Sequence, residues 1–195
     1  MANENKVNFG LRNVHYAVIT YTNGVPSWGT PKPWKGGVNV NLTKETSSSD
    51  FYADDTKYFH ISANNGYTGS IEMALVPDEV LKDLFGFTET ATGKMIVEDA
   101  NATPVEFALM FEVQGDEQPR RVCLYRCTAD RPDVAAATKA DSVEVQTQTC
   151  DLVVMPVIDP TANSQIDGIT KYSTTANTPS ATFTDFFNAV DTTLA

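Results

Sequence analysis

Hydrophobic and polar residues alternate through much of this chain, and helical spacing is confined to two short stretches. The clearest alternation sets Val105, Phe107, Leu109, Phe111 and Val113 on one side and Glu106, Ala108, Met110, Glu112 and Gln114 on the other. Residues 115–119 turn the chain. On the returning strand Arg121, Cys123, Tyr125 and Cys127 alternate with Val122, Leu124 and Arg126, so both faces are partly apolar. Earlier, residues 14–21 predict a first strand closed by Asn23-Gly24, and Val38, Val40 and Leu42 against Asn39, Asn41 and Thr43 predict a second. Between them, residues 25–33 contain Pro26, Pro31 and Pro33, with Trp28 and Trp34 interleaved. That is too much proline for a central strand and predicts a connecting loop. Residues 143–155 predict a further long strand, ended by Pro156.

Residues 50–87 combine a hairpin, a strand and a capped helix. Phe51 and Tyr52, then Tyr58, Phe59 and Ile61, are extended runs on either side of an Asp54-Asp55 turn, and Asn64-Asn65-Gly66 is expected to end that hairpin. From Gly69, Ile71, Met73 and Leu75 alternate with Ser70, Glu72 and Ala74. A helix follows: Pro77 suits its first position, Asp78 and Glu79 lie near the positive end of its dipole, and Gly86 stops it. Val80, Leu81, Leu84 and Phe85 form its buried face. Residues 43–65 therefore read as a long hairpin loop between two core strands.

Residues 157–181 turn to Thr, Ala, Ser, Asn and Asp with little periodicity and read as an extended arm. Phe183, Phe186, Phe187, Val190 and Leu194 recur at three- and four-residue spacing, as in a short terminal helix. Such a helix has two destinations open to it, its own sheet or a neighbouring subunit. The whole pattern predicts a mainly β (α+β) fold in one domain over residues 1–195.

The order Gly66-Tyr67-Thr68-Gly69, a strand, then Pro77-Asp78-Glu79 through Leu84-Phe85-Gly86 resembles the major tail (tail tube) protein family of long-tailed, siphovirus-type bacteriophages. Residues 138–147 look like the lead-in to that family's last long strand. Phe186-Phe187-Asn188-Ala189-Val190 is similar to its closing aromatic helix, with Phe where Trp is usual. The resemblance implies a tail-tube-type β-sandwich or barrel with one mid-chain helix and extended terminal arms. It implies hexameric rings whose inner strands close a continuous barrel, stacked into a tube that conducts genomic DNA at ejection. The implied partners are further copies of the chain and other tail proteins such as the tape measure and tail terminator, with DNA passing unbound. The implied location is the phage tail, assembled in the bacterial cytoplasm. The interface candidates are Phe51, Tyr52, Asp54, Asp55, Tyr58, Phe59, Phe186 and Phe187.

Composition narrows the alternatives. A hydrophobic content of 42% with 20% charged residues is ordinary for a folded protein and argues against global disorder. No apolar run approaches the roughly 20 residues that span a membrane, and residues 1–10 lack the apolar core of a signal peptide. The net charge of −11 argues against a sequence-reading nucleic-acid binder and against anionic membranes. From Glu72 to Glu117 eleven acids face two bases, Lys82 and Lys94, a net of −9, whereas residues 1–60 carry six bases and five acids, a net of +1. Those carboxylates either solvate strands and turns or make a surface that repels DNA. On the second reading some of Glu72, Glu106 and Glu112 face the lumen.

Catalytic vocabulary is sparse. His15 and His60 sit in no catalytic or ligand spacing, and no GxSxG, HExxH, P-loop or dinucleotide fingerprint occurs. Asp54-Asp55 lacks the further oxygen ligands that calcium requires. Cys123 and Cys127, four apart on a strand, are expected on one face about 13 Å apart, beyond disulfide reach. With Cys150 they are expected to be buried reduced thiols. No enzyme, cofactor or metal is expected. A second function class remains: the aromatics around Trp28 and Trp34 suit a sugar face, as in a β-sandwich carbohydrate-binding or adhesin module.

Overall fold

Residues 5–138 and 145–194 are described by a computed structural model. The fold is mainly β, with an open antiparallel sheet. Its strands are β1 (Asn8–Thr22), β2 (Val25–Trp28), β3 (Lys32–Pro33), β4 (Gly37–Ala53), β5 (Thr56–Met73), β6 (Thr88–Glu89), β7 (Ile96–Val97), β8 (Phe107–Gly115), β9 (Arg120–Ala129), β10 (Gln148–Met155) and β11 (Lys171–Ser173). The helices are α1 (Asp78–Phe85) and α2 (Ser180–Asp185). The main sheet runs β2-β1-β8-β9-β10-β5-β4, with β3 beside β1 and β11 beside β9; β6 and β7 pair with each other.

The sheet curls. Trp34 N–H donates to the Val14 carbonyl at 2.7 Å, and Gly37 at the start of β4 sits against Leu11 and Val14 of β1. Among the described residues no ladder joins the two edges, so the curl stops between a two-sheet sandwich and a closed barrel. Inside it, Tyr16, Trp34, Ile71, Met73, Phe107 and Leu124 share one core with Val80, Leu84 and Phe85 of α1. Gly86 closes α1 at φ 70°, as expected, whereas Pro77, expected at the first helical position, is the extended N-cap and the helix starts at Asp78.

Several expectations need correction. The proline-rich 25–33 segment is not wholly loop: β2 is an edge strand with Pro26 opposite Tyr21, a position where a missing N–H costs no ladder bond. Asn64-Asn65-Gly66 does not end the hairpin. A bulge there, with Glu45 opposite Gly66 and Thr46 opposite Asn64, keeps β5 continuous for 18 residues. Gly66 has φ 102°, and a Cβ on it would lie 1.9 Å from the Val154 carbonyl oxygen.

A second bulge corrects the cysteines. Phe107 pairs with Cys127 but Leu109 with Leu124, so β9 carries one extra residue and its alternation changes phase. Cys127 therefore faces the α1 core, while Cys123 and Tyr125 face the other side. All three cysteines are buried and free.

The other side also has a core. Ala17, Ala108, Met110, Cys123 and Tyr125 are covered by Val157, Ile166, Phe186 and Val190. The predicted extended arm over residues 157–181 thus folds back, adding β11 alongside β9. The predicted terminal helix shortens to the six residues of α2, and the residues after it dock on the chain's own sheet. The tail-like lead-in at 138–147 and the start of the predicted strand at 143 lie largely outside the described residues; β10 begins at Gln148.

Candidate functional site

Among the described residues, two surfaces lack a cover. The first is the outer half of the β4–β5 hairpin, residues 46–64, which leaves the body as an arm roughly 25–30 Å long. Asp54 and Asp55 take φ 50° and 58° in a two-residue turn, the primed geometry whose twist matches the flanking strands. Phe51 pairs directly with Phe59 and Ser49 with Ile61, so these side chains share one face. Phe51, Phe59 and Ile61 remain 60%, 57% and 56% exposed. The opposite face is polar: Asp50 pairs with Lys57 in a salt bridge and lies against the His60 imidazole Nδ1. Tyr52 lies on this polar face, Tyr58 is the extra residue of a bulge, and both are exposed. The arm is thus a two-stranded ribbon with an uncovered apolar side.

Of the predicted interface residues, the structure gathers Phe51, Tyr52, Asp54, Asp55, Tyr58 and Phe59 on this arm. Phe186 and Phe187 are corrected. Phe186 is buried in the second core, and Phe187 stacks on His15 with ring centroids 4.6 Å apart.

The second surface is the outer side of β10, β5 and β4. There Thr149, Asp151 and Val153 stand beside Glu72, Ser70 and Thr68, which stand beside Asn39, Asn41 and Thr43. The alternate positions Ile71, Cys150, Leu152 and Val154 fill the α1 core, which fixes this set outward. The strip carries two carboxylates, Glu72 and Asp151, and no lysine or arginine. Asp151 was missed in the sequence, although its alternation with Cys150 and Leu152 marked it.

The other two lumen candidates are corrected. Glu112 is 1% exposed and held between Arg12 and the Arg121 Nε–H at 2.8 Å, because both guanidiniums meet the outer side of β8. Burial alone would raise its pKa, but hydrogen bonds from Arg121 and Arg12 hold the carboxyl below its ordinary range. Glu106 is half-buried and accepts Arg126 Nε–H at 3.0 Å and Nη2–H at 2.6 Å, together with the Tyr21 hydroxyl. Glu72 keeps a partly open carboxylate, accepting only the Thr147 hydroxyl at 2.6 Å among the described residues.

The chain matches no family model and no curated protein.

The sugar-stacking platform does not form. Trp34 is fully buried, edge-on to Tyr16 and Phe107, and the Trp28 indole N–H donates to the Tyr125 carbonyl at 2.9 Å. A cleft of about 820 Å³ lies between the end of α1 and residues 130–134. Its wall is acidic, with Asp130, Asp133 and Asp151 against Arg131, and Arg131 is paired with Glu98. Among the described residues no three metal-ligating side chains converge. No helix there is long and apolar enough to cross a membrane.

Proposed function

We propose that this protein is a structural subunit that assembles with copies of itself into stacked rings forming a phage tail tube, a conduit for genomic DNA. The observation that carries the reading is the arm. A ribbon with Phe51, Phe59 and Ile61 uncovered on one side and charges on the other is stable against water only when something covers that side. A second feature supports it: β4 is a 17-residue edge strand, and such an edge pairs readily with another chain. The resemblance to the major tail proteins, in the segment from Gly66 to Gly86, agrees with both.

In this reading the chain has no catalytic activity and no cofactor. Its place is the virion tail, beside tape-measure and terminator proteins, and the cation-free strip of β10, β5 and β4 faces the DNA. Electron microscopy and sedimentation of the concentrated purified protein test it. Rings or tubes are expected. A pure monomer at high concentration, even beside a tail-tip template, overturns the reading.

A further inference from the structure

We infer that the acidic tip of one copy's arm seats in a basic cleft at the opposite end of β4 in the next copy, a contact that rests on the tube reading and gives the polymer its direction. The cleft, about 510 Å³, is lined by Arg12, Asn13, His15, Trp34, Lys35 and Gly36. It exists because β1 is interrupted here: the register shifts between Arg12 and His15, and Asn13 adopts φ 54°.

Its charge is positive by construction. Arg12 lines the cleft and no carboxylate does, and Glu112, which Arg12 meets behind the wall, is shared with Arg121. Lys35 adds a second cation, being exposed and in no salt bridge among the described residues. On a chain of net charge −11, this pocket is a local exception.

The tip has the complementary character. Asp54 and Asp55 are exposed, and among the described residues neither enters a salt bridge, whereas Asp50 further down the arm is held by Lys57 and His60. A two-residue turn is also the narrowest end a hairpin presents.

Geometry supplies the remaining step. Gly36 and Gly37 line the cleft at the start of β4, and Asp54 follows its last residue, Ala53. The strand's 17 residues separate the two by up to about 55 Å. The tip therefore cannot reach its own cleft. Two different patches at opposite ends of one strand make a heterologous contact, which repeats head to tail from copy to copy and, on the tube reading, runs along the stack.

Two measurements test the contact. In the first, Asp54→Lys with Asp55→Lys, and separately Lys35→Glu, set like charges opposite each other. Each is expected to raise the critical concentration for polymerisation roughly tenfold or more, and combining Lys35→Glu with the two tip changes restores assembly in part. In the second, Asp55→Cys protein is mixed with Lys35→Cys protein under mild oxidation. A disulfide dimer between the two variants is expected, since the native thiols are buried. Wild-type tubes indifferent to the charge changes, with no dimer formed, overturn the tip-to-cleft contact and leave the tube reading standing. Wild-type protein that never polymerises, with no dimer formed, overturns both.

Discussion

Glu112 shows how much one side chain can organise here. It holds Arg121, whose guanidinium lies 3.9 Å from the Phe183 ring centre and 4.9 Å from that of Phe187, and which donates to the Phe183 carbonyl. The C-terminal cover is thereby tied to β9. Glu112→Ala leaves two guanidiniums uncompensated and is expected to cost about 3 kcal/mol in urea denaturation. Glu72→Ala, on the open strip, is expected to cost about 1 kcal/mol or less. The pH dependence follows in sign. The folded carboxyl titrates below its ordinary value of 4.5, so its contribution is complete above that value and is lost as pH falls through the lower, folded one. Denaturation midpoints should therefore drop on acidification in wild type and less steeply in Glu112→Gln. Burial pushes the Cys150 thiol up to about 12 and those of Cys123 and Cys127 higher still. A thiol reagent is expected to find none of the three in native protein and all three in guanidinium. The alternation of β8 showed which way Glu112 points. It could not show two arginines converging on it, one of them 100 residues away.

At the scale of elements, the arm and the C-terminal cover can be separated experimentally. No arm residue belongs to either core, so replacing residues 46–63 with a short Gly-Ser turn is expected to leave a folded protein with a melting point close to wild type, its circular dichroism losing only the strand signal of the arm. The same variant should form no stacked tubes; normal tubes would remove the arm from assembly. Deleting residues 180–194 does the reverse. It uncovers Ala108, Met110 and Tyr125, and a dye that binds apolar surface should report the exposure. The hairpin was legible because Asp54-Asp55 is flanked by aromatic strand residues, and α1 because Pro77 and Gly86 bracket an apolar face. The bulges were not. One extra residue at Gly66 or in β9 reverses which side chains face inward, and what stabilises it is a strand distant in sequence. The C-terminal segment was misread for a related reason. Its apolar anchors are sparse: Val157 and Ile166 lie far apart and are placed by the surface they cover, and Phe186 and Val190 keep a helical spacing although the helix ends before them, at Asp185.

For the molecule as a whole, charge along the chain is not charge in space. Five of the eleven acids in residues 72–117 are met by cations from elsewhere: Lys32 reaches Glu79 and Asp83, Arg126 reaches Glu106, Arg131 reaches Glu98, and Arg12 and Arg121 reach Glu112. On the tube reading proposed above, the DNA-facing wall is the strip of Asn, Ser and Thr carrying Glu72 and Asp151. Such a wall works chiefly by what it lacks. Each lysine or arginine facing the duplex would hold phosphate by releasing counterions, whereas amides and hydroxyls offer only weak, exchangeable contacts. Two carboxylates add repulsion over about 10 Å at 0.1 M salt, enough for the gap between duplex and wall. Glu72→Lys with Asp151→Lys is therefore expected to fold and assemble, both side chains lying outside the two cores, but to slow DNA ejection from assembled particles at low salt. Raising the salt should recover much of the rate, because the new contacts are electrostatic. Ejection at the wild-type rate across the salt range, or an assembled tube with this strip turned outward, would assign the lumen to another face.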